Sequence, residues 1–191
     1  MMATLRMKTI HHFRSVFLEH ELFDIRQAPK STKELELLLI DYDTFKYYNN
    51  KWHSRMPKVG GFYISGLFFA LSNGDCFGVA AWSQPIAANR LKDGFNALEL
   101  RRMALPEDAP RNTATRFISL MTKYIKKNRP SIKYLLSYQD TGCHLGTIYK
   151  AANWHSRGES KFISWTTDKR IRAEDQSASD KVRWEYRLRE K

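Results

Sequence analysis

Residues 99–116 read ELRRMALPEDAPRNTATR, which joins a strand, a proline-bounded acidic turn and the start of a helix. The pattern predicts that the strand spans residues 96–105, that Asn112 or Thr113 caps the helix, and that Pro130 ends it. A helix that starts beside the end of a strand presents unpaired backbone N–H groups at the edge of a sheet. Such a position favours the binding of a phosphate.

The rest of the chain supplies strands and helices on both sides of this segment. The predicted elements are a strand at residues 22–28, a helix at 32–47 that opens with an S-x-x-E capping box, a loop at 48–61, strands at 62–71 and 76–83 joined by a hairpin turn, a strand at 132–138, a turn at 139–142, a helix at 144–152, and strands at 161–167 and 182–188. This βα-βββ-αβαββ order predicts an α/β fold with a single mixed β-sheet flanked by helices on both faces.

Length and composition favour one domain, because 191 residues, 42% of them hydrophobic, can bury one sizeable core. We expect residues 1–191 to form that domain, with 1–20 as a flexible or peripheral segment and 168–180 as a polar loop. Intrinsic disorder is excluded as the main state. The longest apolar stretch, residues 62–71, is about half of what a membrane-spanning helix needs, so we expect a cytoplasmic protein without a membrane partner.

The charge is strongly positive and unevenly distributed. The chain carries 32 Lys and Arg against 20 Asp and Glu, a net charge of +12, which favours an anionic partner. Residues 111–133 contain seven basic and no acidic side chains, and residues 44–74 contain four basic and no acidic ones. Both stretches also carry aromatic residues, a mixture that suits phosphate attraction with base stacking. The alternative interpretation is a solvated helix face with aromatic residues in the core.

Several motifs resemble those of the GNAT (Gcn5-related acyltransferase) superfamily. In that superfamily the helix start carries an R/Q-x-x-G-x-G/A loop that binds the pyrophosphate of coenzyme A. Here the candidate cofactor-binding residues are Arg111, Asn112, Thr113 and Thr115, without a glycine, so ordinary coenzyme A binding is doubtful. The stretch TIYKAANW at residues 147–154 resembles the L-Y-x-x-x-G-F ending of the superfamily, with Tyr149 at the tyrosine.

The motifs ExxRMAL, DAPRNTATRF, LLSYQD and HLGTIY follow one another across residues 99–149. Together with the loop at residues 48–57, they resemble the Mom family of phage DNA-modification proteins. The resemblance implies a GNAT-like enzyme that converts adenine in double-stranded DNA to N6-carbamoylmethyladenine. It also implies action in the cytoplasm of an infected bacterial host, where the modification protects phage DNA from restriction.

The resemblance also implies a set of site residues. The candidate catalytic residues are Tyr48, His53, Arg102, Ser137, Asp140 and Tyr149. In this scheme Asp140 accepts the proton of adenine N6, Tyr149 protonates the leaving group, and Arg102 polarises the donor carbonyl. Each residue also has a structural alternative: a helix cap for Asp140, a backbone hydrogen bond for Ser137, an ion pair with Glu99 for Arg102, and a core position for Tyr149.

Double-stranded DNA is the expected partner, and the group donor is unknown. The candidate DNA-binding residues are Lys51, Arg55, Lys58, Arg116, Lys123, Lys126 and Lys127, and Tyr48, Trp52 and Phe62 are candidates to stack on an extruded base. We expect no dedicated metal site, although His53 with Tyr48 is a weak candidate and the resemblance leaves iron open. The oligomeric state, a homodimer included, is open.

Two other functions fit the same sequence. The first is a coenzyme A dependent N-acetyltransferase of a protein or a small amine, against which the missing glycine loop argues. The second is a non-catalytic DNA-binding protein that uses the same basic surfaces. The two cysteines, Cys76 and Cys143, have no CxxC spacing and are predicted to be free thiols.

Overall fold

The computed structural model describes residues 29–56, 58–59, 66–87, 90, 96–161 and 179–189. The strands are β1 (Glu36–Leu39), β2 (Leu67–Ser72), β3 (Cys76–Ser83), β4 (Ala97–Ala104), β5 (Tyr134–Asp140), β6 (His155–Ser160) and β7 (Lys181–Arg187). The helices are α1 (Tyr42–Trp52), α2 (Thr113–Asn128) and α3 (Thr147–Ala151), and a 3-10 turn at Thr32–Glu34 precedes β1. The elements of the described residues follow the predicted βα-βββ-αβαββ order, although β1 falls within the helix predicted at residues 32–47.

The seven strands form one mixed sheet in the order β1-β2-β3-β4-β5-β7-β6. All neighbouring pairs are antiparallel except β4 and β5, which are parallel. The parallel register ends at Leu100 and Ser137, although β4 continues to Ala104 and β5 to Asp140. The two strands therefore separate at their carboxyl ends, and we call this place the β4–β5 split.

Helices cover both faces of the sheet, as predicted. Side chains alternate along β2, so that Phe69 packs in the cluster that contains Phe117 of α2, whereas Phe68 packs in the cluster that contains Phe45 of α1. We call these the α2 face and the α1 face. The α/β fold with one mixed sheet is thus confirmed, and the split opens between two packed layers.

The helix predicted at residues 32–47 is observed only from Tyr42 onward, and its first ten residues are predicted wrongly. Its N-terminal signal is real, since the Ser31 hydroxyl accepts a hydrogen bond from the backbone N–H of Lys33, but only one 3-10 turn follows. The apolar run after it forms β1, because pairing with β2 at the sheet edge satisfies its backbone groups. The helix starts instead at Tyr42, with Asp41 as the N-cap that accepts from Thr44 N at 2.7 Å.

Other predicted boundaries also change. The loop predicted at residues 48–61 is helical through Trp52, and the turn predicted at 139–142 starts after Asp140. The strand predicted at 161–167 lies outside the described residues except for its first position, and a strand that was not predicted, β6, occupies His155–Ser160 before it. The helix predicted at 144–152 starts only at Thr147, because Gly146 is in the left-handed region with φ 71°.

The hairpin of β2 and β3, strand β4 and helix α2 lie where they are predicted. The side-chain cap predicted for α2 is wrong for Asn112, which has φ 70° and makes no capping hydrogen bond. Thr113 has its hydroxyl bonded to the carbonyl oxygen of Pro110 at 2.6 Å.

The strand predicted at residues 22–28, the start of the strand at 62–71, and the segments at 1–20 and 168–178 lie outside the described residues. The single domain over residues 1–191 therefore stays a prediction. None of the helices in the described ranges is both long and apolar enough to cross a membrane.

Candidate active site

Two hydroxyl groups meet where β4 and β5 separate. Ser137 is the last β5 residue paired with β4, and its Oγ lies 2.9 Å from the hydroxyl oxygen of Tyr149. Ser137 Oγ also donates to the carbonyl oxygen of Leu100 at 3.2 Å. Both side chains are buried. The structure thus brings together two of the residues that the sequence singles out, and it also shows the backbone hydrogen bond that is the structural alternative for Ser137.

Burial controls the chemistry of the Tyr149 phenol. Desolvation raises the pKa of Tyr149, and the hydrogen bond with Ser137 offsets part of that rise. The Tyr149 ring stacks on Trp184 with the ring centroids 5.4 Å apart, and Trp184 Nε1 donates to Gln139 Oε1 at 2.7 Å. The phenol therefore keeps its proton at neutral pH and is held in one orientation.

Arg102 and Asp140 lie on the α1 face, opposite to the face that Ser137 occupies. Arg102 pairs with Ala81, which belongs to the α1-face cluster, and Asp140 is an odd number of positions from Ser137 along β5. Arg102 Nη1 donates to the backbone carbonyl oxygen of Arg101 at 2.8 Å. The candidate residues at the split thus lie on both faces of the sheet, with Ser137 and Tyr149 on the α2 face and Arg102 and Asp140 on the α1 face.

His53 is a neutral histidine on the same face. Burial lowers the pKa of His53 from 6.5 to about 4, and electrostatic interactions with Arg102 and His144 contribute to this lowering. His53 Nδ1 accepts a hydrogen bond from the backbone N–H of Met56 at 3.2 Å, so its ring proton is on Nε2. His53, Arg102 and His144 are thus close enough to act on one another electrostatically.

Asp140 organises the loop that joins β5 to α3. Its Oδ1 accepts hydrogen bonds from the backbone N–H of Gly142 at 2.9 Å and from the hydroxyl of Ser179. Its backbone carbonyl accepts from the N–H of His144 at 3.0 Å. The structural alternative for Asp140 is the N-cap of the following helix. In the structure Asp140 instead stabilises the turn that precedes this helix.

A side-chain contact ties this loop to the segment after α1. Arg55 Nη2 lies 2.7 Å from the sulfur of Cys143, and Cys143 is a free, half-buried cysteine. The two residues are 88 positions apart in the sequence. The contact brings Arg55, a candidate DNA-binding residue, to the rim of the site.

The carboxyl group of Glu99 is the main site feature that sequence reasoning missed. Glu99 is 7% exposed, its Oε1 lies 3.2 Å from Arg101 Nε, and its Oε2 accepts from the backbone N–H of Ile86 at 3.2 Å. The structural alternative for Arg102 is an ion pair with Glu99. In the structure Arg101, the extra residue of a bulge in β4, forms the ion pair with Glu99 instead. Burial raises the pKa of Glu99, and the nearby Arg101 opposes that rise. The signal in the sequence was a glutamate between two apolar residues of a strand.

A network of charged and polar side chains continues across the α1 face from Glu99. Burial raises the pKa of Tyr138, the charge of Glu99 raises it further, and a hydrogen bond with Arg90 opposes both. Glu185 of β7 pairs with Arg183 at 2.9 Å and lies 3.9 Å from Arg90. This face of the sheet is thus polar beside the split.

The aromatic residues predicted to stack on a base are placed differently. Tyr48 is 4% exposed in the α1-face cluster, where its ring lies 4.6 Å from that of Trp52. Trp52 is half-buried, and Phe62 lies outside the described residues. Tyr48 is therefore a core residue and offers no open face for stacking.

The described ranges contain no group of three or more His, Cys, Asp or Glu side chains that could hold a metal ion. His53 and Tyr48 gain no further ligand there, and His53 Nδ1 is occupied by a backbone N–H. The described residues around His53 therefore do not fit an iron site.

A cavity of about 330 Å³ lies between the start of α2 and α3. Its lining includes the predicted cofactor residues Asn112, Thr113 and Thr115, together with Thr147 and Ile148, and Arg111 is exposed beside it. In the GNAT superfamily this is the place of the coenzyme A pyrophosphate. Asn112 has the left-handed backbone typical of glycine, but it carries a side chain, and the N–H of Thr113 is already bonded to Pro110 O. The residues present do not form a glycine cradle for that pyrophosphate.

The basic residues separate into two groups. Lys51, Arg55 and Lys58 are exposed at and after the end of α1, on the side of the sheet that carries Arg102. The exposed lysines of α2 lie on the opposite side, and Lys126 is about 20 Å along the helix from its start. Arg116 is half-buried on α2. Which of the two groups binds DNA stays a prediction.

Residues 34–189 match the model of the Mom protein family. The methylcarbamoylase Mom of Escherichia phage Mu is 34% identical over 125 residues, which cover 62% of this chain and 51% of that protein. The chain thus spans about half the length of this curated relative.

Solved acetyltransferases share the fold. A putative acetyltransferase of Salmonella typhimurium with acetyl-CoA has a TM-score of 0.60 at 9% identity, over 83% of this chain and 96% of that one. A Bacillus subtilis acetyltransferase in complex with CoA has a TM-score of 0.58 at 12% identity, over 80% and 98%. The ribosomal-protein-S18-alanine N-acetyltransferase of Escherichia coli has a TM-score of 0.57 at 13% identity, over 81% and 94%. These similarities confirm the GNAT-like fold.

Proposed function

The chain belongs to the Mom protein family, and from this premise we propose that it is a transferase that converts adenine in double-stranded DNA to N6-carbamoylmethyladenine. The observation that carries the proposal is the Ser137–Tyr149 pair at the β4–β5 split, with Arg102 and Asp140 on the α1 face beside it. The name of the phage Mu relative, a methylcarbamoylase, supports the type of group transferred.

In this proposal the two substrates approach the split from opposite faces. The group donor enters from the α2 face, where the cavity is lined by Thr147, Ile148 and Ala151 of α3, the helix that carries Tyr149. The adenine enters from the α1 face, where Arg102, His53 and Glu99 supply positive charge, a fixed N–H donor and a carboxyl group. An adenine inside a duplex cannot reach this depth, so the base is extruded from the helix.

Tyr149 acts as the acid for the leaving group. As the bond from the transferred group to the donor breaks and its bond to adenine N6 forms, the leaving atom takes the phenolic proton and a carboxylate on the α1 face takes the N6 proton. Two arrangements of protons fit the same oxygen positions. In the first arrangement the Ser137 hydroxyl donates to the carbonyl oxygen of Leu100, and the oxygen of Ser137 accepts the hydrogen bond from the Tyr149 hydroxyl. In the second arrangement the Ser137 hydroxyl donates to the Tyr149 oxygen, and the phenolic proton points away from Ser137. Only the second arrangement leaves that proton available to a leaving group, so donor binding must turn the Ser137 hydroxyl away from Leu100.

Two carboxyl groups on the α1 face are candidates to accept the N6 proton. Asp140 lies at the end of β5 and is the residue that the family resemblance implies, while its Oδ1 also holds the turn. Glu99 is favoured because burial raises its pKa, which makes its carboxylate a stronger base than an exposed one. Arg102 polarises the carbonyl group of the donor.

The DNA phosphates are held on the α1 side. Lys51, Arg55 and Lys58 are exposed there, and Arg55 is fixed against Cys143 at the rim of the site. The enzyme would act in the cytoplasm of an infected bacterium, where phage DNA is exposed to restriction. No role for a second subunit is needed in this arrangement.

Nucleoside mass spectrometry of DNA from cells that express the chain tests this proposal. We expect carbamoylmethyladenine with the wild type and about 100-fold less with Tyr149→Phe, because general acid catalysis typically contributes that much. Unmodified adenine in wild-type DNA would contradict the proposal.

A coenzyme A dependent N-acetyltransferase is the second candidate function, because solved structures of the same fold contain CoA or acetyl-CoA. The side chains of Asn112 and Thr115 at the start of α2 argue against it. Protection from thermal unfolding by acetyl-CoA, together with unmodified DNA, would favour this function.

A further inference from the structure

Leu145 is an apolar side chain that the fold leaves in water. It is 85% exposed, whereas the other large exposed apolar residues of the described ranges, Ile86 and Tyr47, are 61% and 44% exposed. A single exposed apolar residue is common on protein surfaces. What distinguishes Leu145 is that both of its neighbours are held rigidly.

On the N-terminal side, His144 is fixed through its backbone. Its N–H donates to Asp140 O at 3.0 Å, and its carbonyl oxygen accepts from Gln139 Nε2 at 2.5 Å. On the C-terminal side, Gly146 has φ 71° and packs so closely against Gln139 and Trp184 that a Cβ atom would collide with them. These contacts involve the backbone of the loop, so the loop keeps its shape without the Leu145 side chain.

The rigid loop holds Leu145 at the rim of the candidate site. Cys143, two positions before it, contacts Arg55, and His144 acts electrostatically on His53. Tyr149 lies four positions after it on α3. Leu145 therefore stands exposed on a loop whose neighbouring residues reach Arg55 and His53, on the side of the split from which the proposed function brings the adenine.

Resting on the proposed function, we propose that Leu145 is a wedge that enters the base stack and occupies the space left by the extruded adenine. Extrusion costs the stacking and pairing of the target base, and DNA-binding proteins offset such costs with inserted apolar side chains. A wedge must be apolar, exposed before binding and rigidly mounted next to the base pocket. Leu145 meets each of these conditions.

The test compares two DNA substrates with the full chain. One is a fully paired duplex, and the other has an abasic site opposite the target adenine, so that little pairing is lost on extrusion. For Leu145→Ala we expect the modification rate to fall about tenfold on the paired duplex, as for the loss of most of one buried leucine side chain. On the abasic duplex the rate should be close to that of the wild type.

Two control variants sharpen the comparison. Leu145→Met keeps the apolar volume and should retain most of the rate on both substrates. Glu159→Ala shortens an exposed side chain of β6, the edge strand away from the split, and should leave both rates unchanged. An equal loss on both substrates for Leu145→Ala, or no loss on the paired duplex, would overturn the wedge.

A second measurement separates failure of the wedge from failure of the proposed function. Duplexes with 2-aminopurine in place of adenine, in every nearest-neighbour context, become more fluorescent when that base is unstacked. We expect the wild type to raise the fluorescence and Leu145→Ala to raise it far less. If the wild type makes no modified adenine, the proposed function fails, while an equal signal from both proteins, or none from the wild type, overturns the wedge.

Discussion

The hydroxyl oxygens of Ser137 and Tyr149 lie 2.9 Å apart, at the last residue pair that joins β4 to β5. One residue comes from a strand and the other from a short helix, and both are buried. Because Ser137 also has Leu100 O as an acceptor, the pair can switch which oxygen donates without moving any heavy atom. This switch decides whether the phenolic proton is available to a substrate.

The switch predicts different results for two small substitutions. Tyr149→Phe removes the proton and should reduce DNA modification at least about 100-fold. Ser137→Ala removes only the partner and should retain much of the activity, because the phenol keeps its proton. Each substitution should cost only about 1 kcal/mol of stability, the usual net value of one hydrogen bond. Kinetics and thermal unfolding on both variants provide the measurement, and equal losses of activity would contradict a role for the Tyr149 proton.

The two candidate bases can be separated by amide substitutions. Asp140→Asn keeps an oxygen that accepts from Gly142, and Glu99→Gln keeps one that accepts from Ile86. The variant that loses the base should lower the modification rate about 100-fold, and the acidic limb of its pH–rate profile should disappear. The other variant should keep that limb. If both variants keep the acidic limb of the wild-type pH–rate profile, neither carboxyl group is the base.

His53 predicts a pH dependence of stability. Because the pKa of His53 is lowered from 6.5 to about 4 in the fold, the unfolded chain binds more protons between these values. The contribution of neutral His53 to the free energy of unfolding is fully present above pH 6.5 and is lost as the pH falls toward 4. We expect this loss to be about 1 to 2 kcal/mol, because solvent reaches part of the ring and weakens the effect. His53→Asn keeps an acceptor for Met56 and should remove this component. Denaturant unfolding across this pH range measures it, with the exposed His155→Asn as the control; a wild-type pH dependence in His53→Asn would contradict the assignment.

The two groups of lysines predict different salt effects on duplex binding. Replacing Lys51 and Lys58 by alanine should reduce the slope of log affinity against log salt by about 2, since each phosphate that a lysine neutralises contributes about 0.9 to that slope. Replacing Lys126 and Lys127 removes the same charge from the far end of α2 and should leave the slope unchanged. A reduced slope in this second variant would instead support phosphate binding by α2, as the sequence alone suggests.

Gly146 predicts a large loss of stability on substitution. Gly146→Ala places a Cβ atom against Gln139 and Trp184 in a left-handed conformation, and we expect a loss of about 2 to 4 kcal/mol. Gly74→Ala is the matched control, because its φ is 112° but no atom lies within 4 Å of the added carbon. Chemical denaturation of both variants measures the difference. Equal losses would show that backbone strain alone matters at Gly146.

The order of the elements was predictable because it depends on local pattern. Alternating apolar residues in β3, the hairpin turn before it and the amphipathic face of α2 all point to their observed states. The apolar run of β1 is predicted to be helical because a short apolar run is compatible with either a helix or a strand. Only its pairing with β2 decides that it is a strand. The network of charged and polar side chains around Glu99 was not predictable, because its residues come from three separate strands and from the β3–β4 loop.

The sequence by itself determined the mixed α/β fold, the excess of positive charge and the family motifs across residues 99–149, since each is encoded in neighbouring residues. Only the tertiary structure decided which face each residue occupies. It buried Tyr48, separated the α2 lysines from Arg102, paired Glu99 with Arg101 and left Leu145 exposed. These outcomes depend on strand register, where one step moves a side chain to the opposite face, and on contacts between residues far apart in the chain.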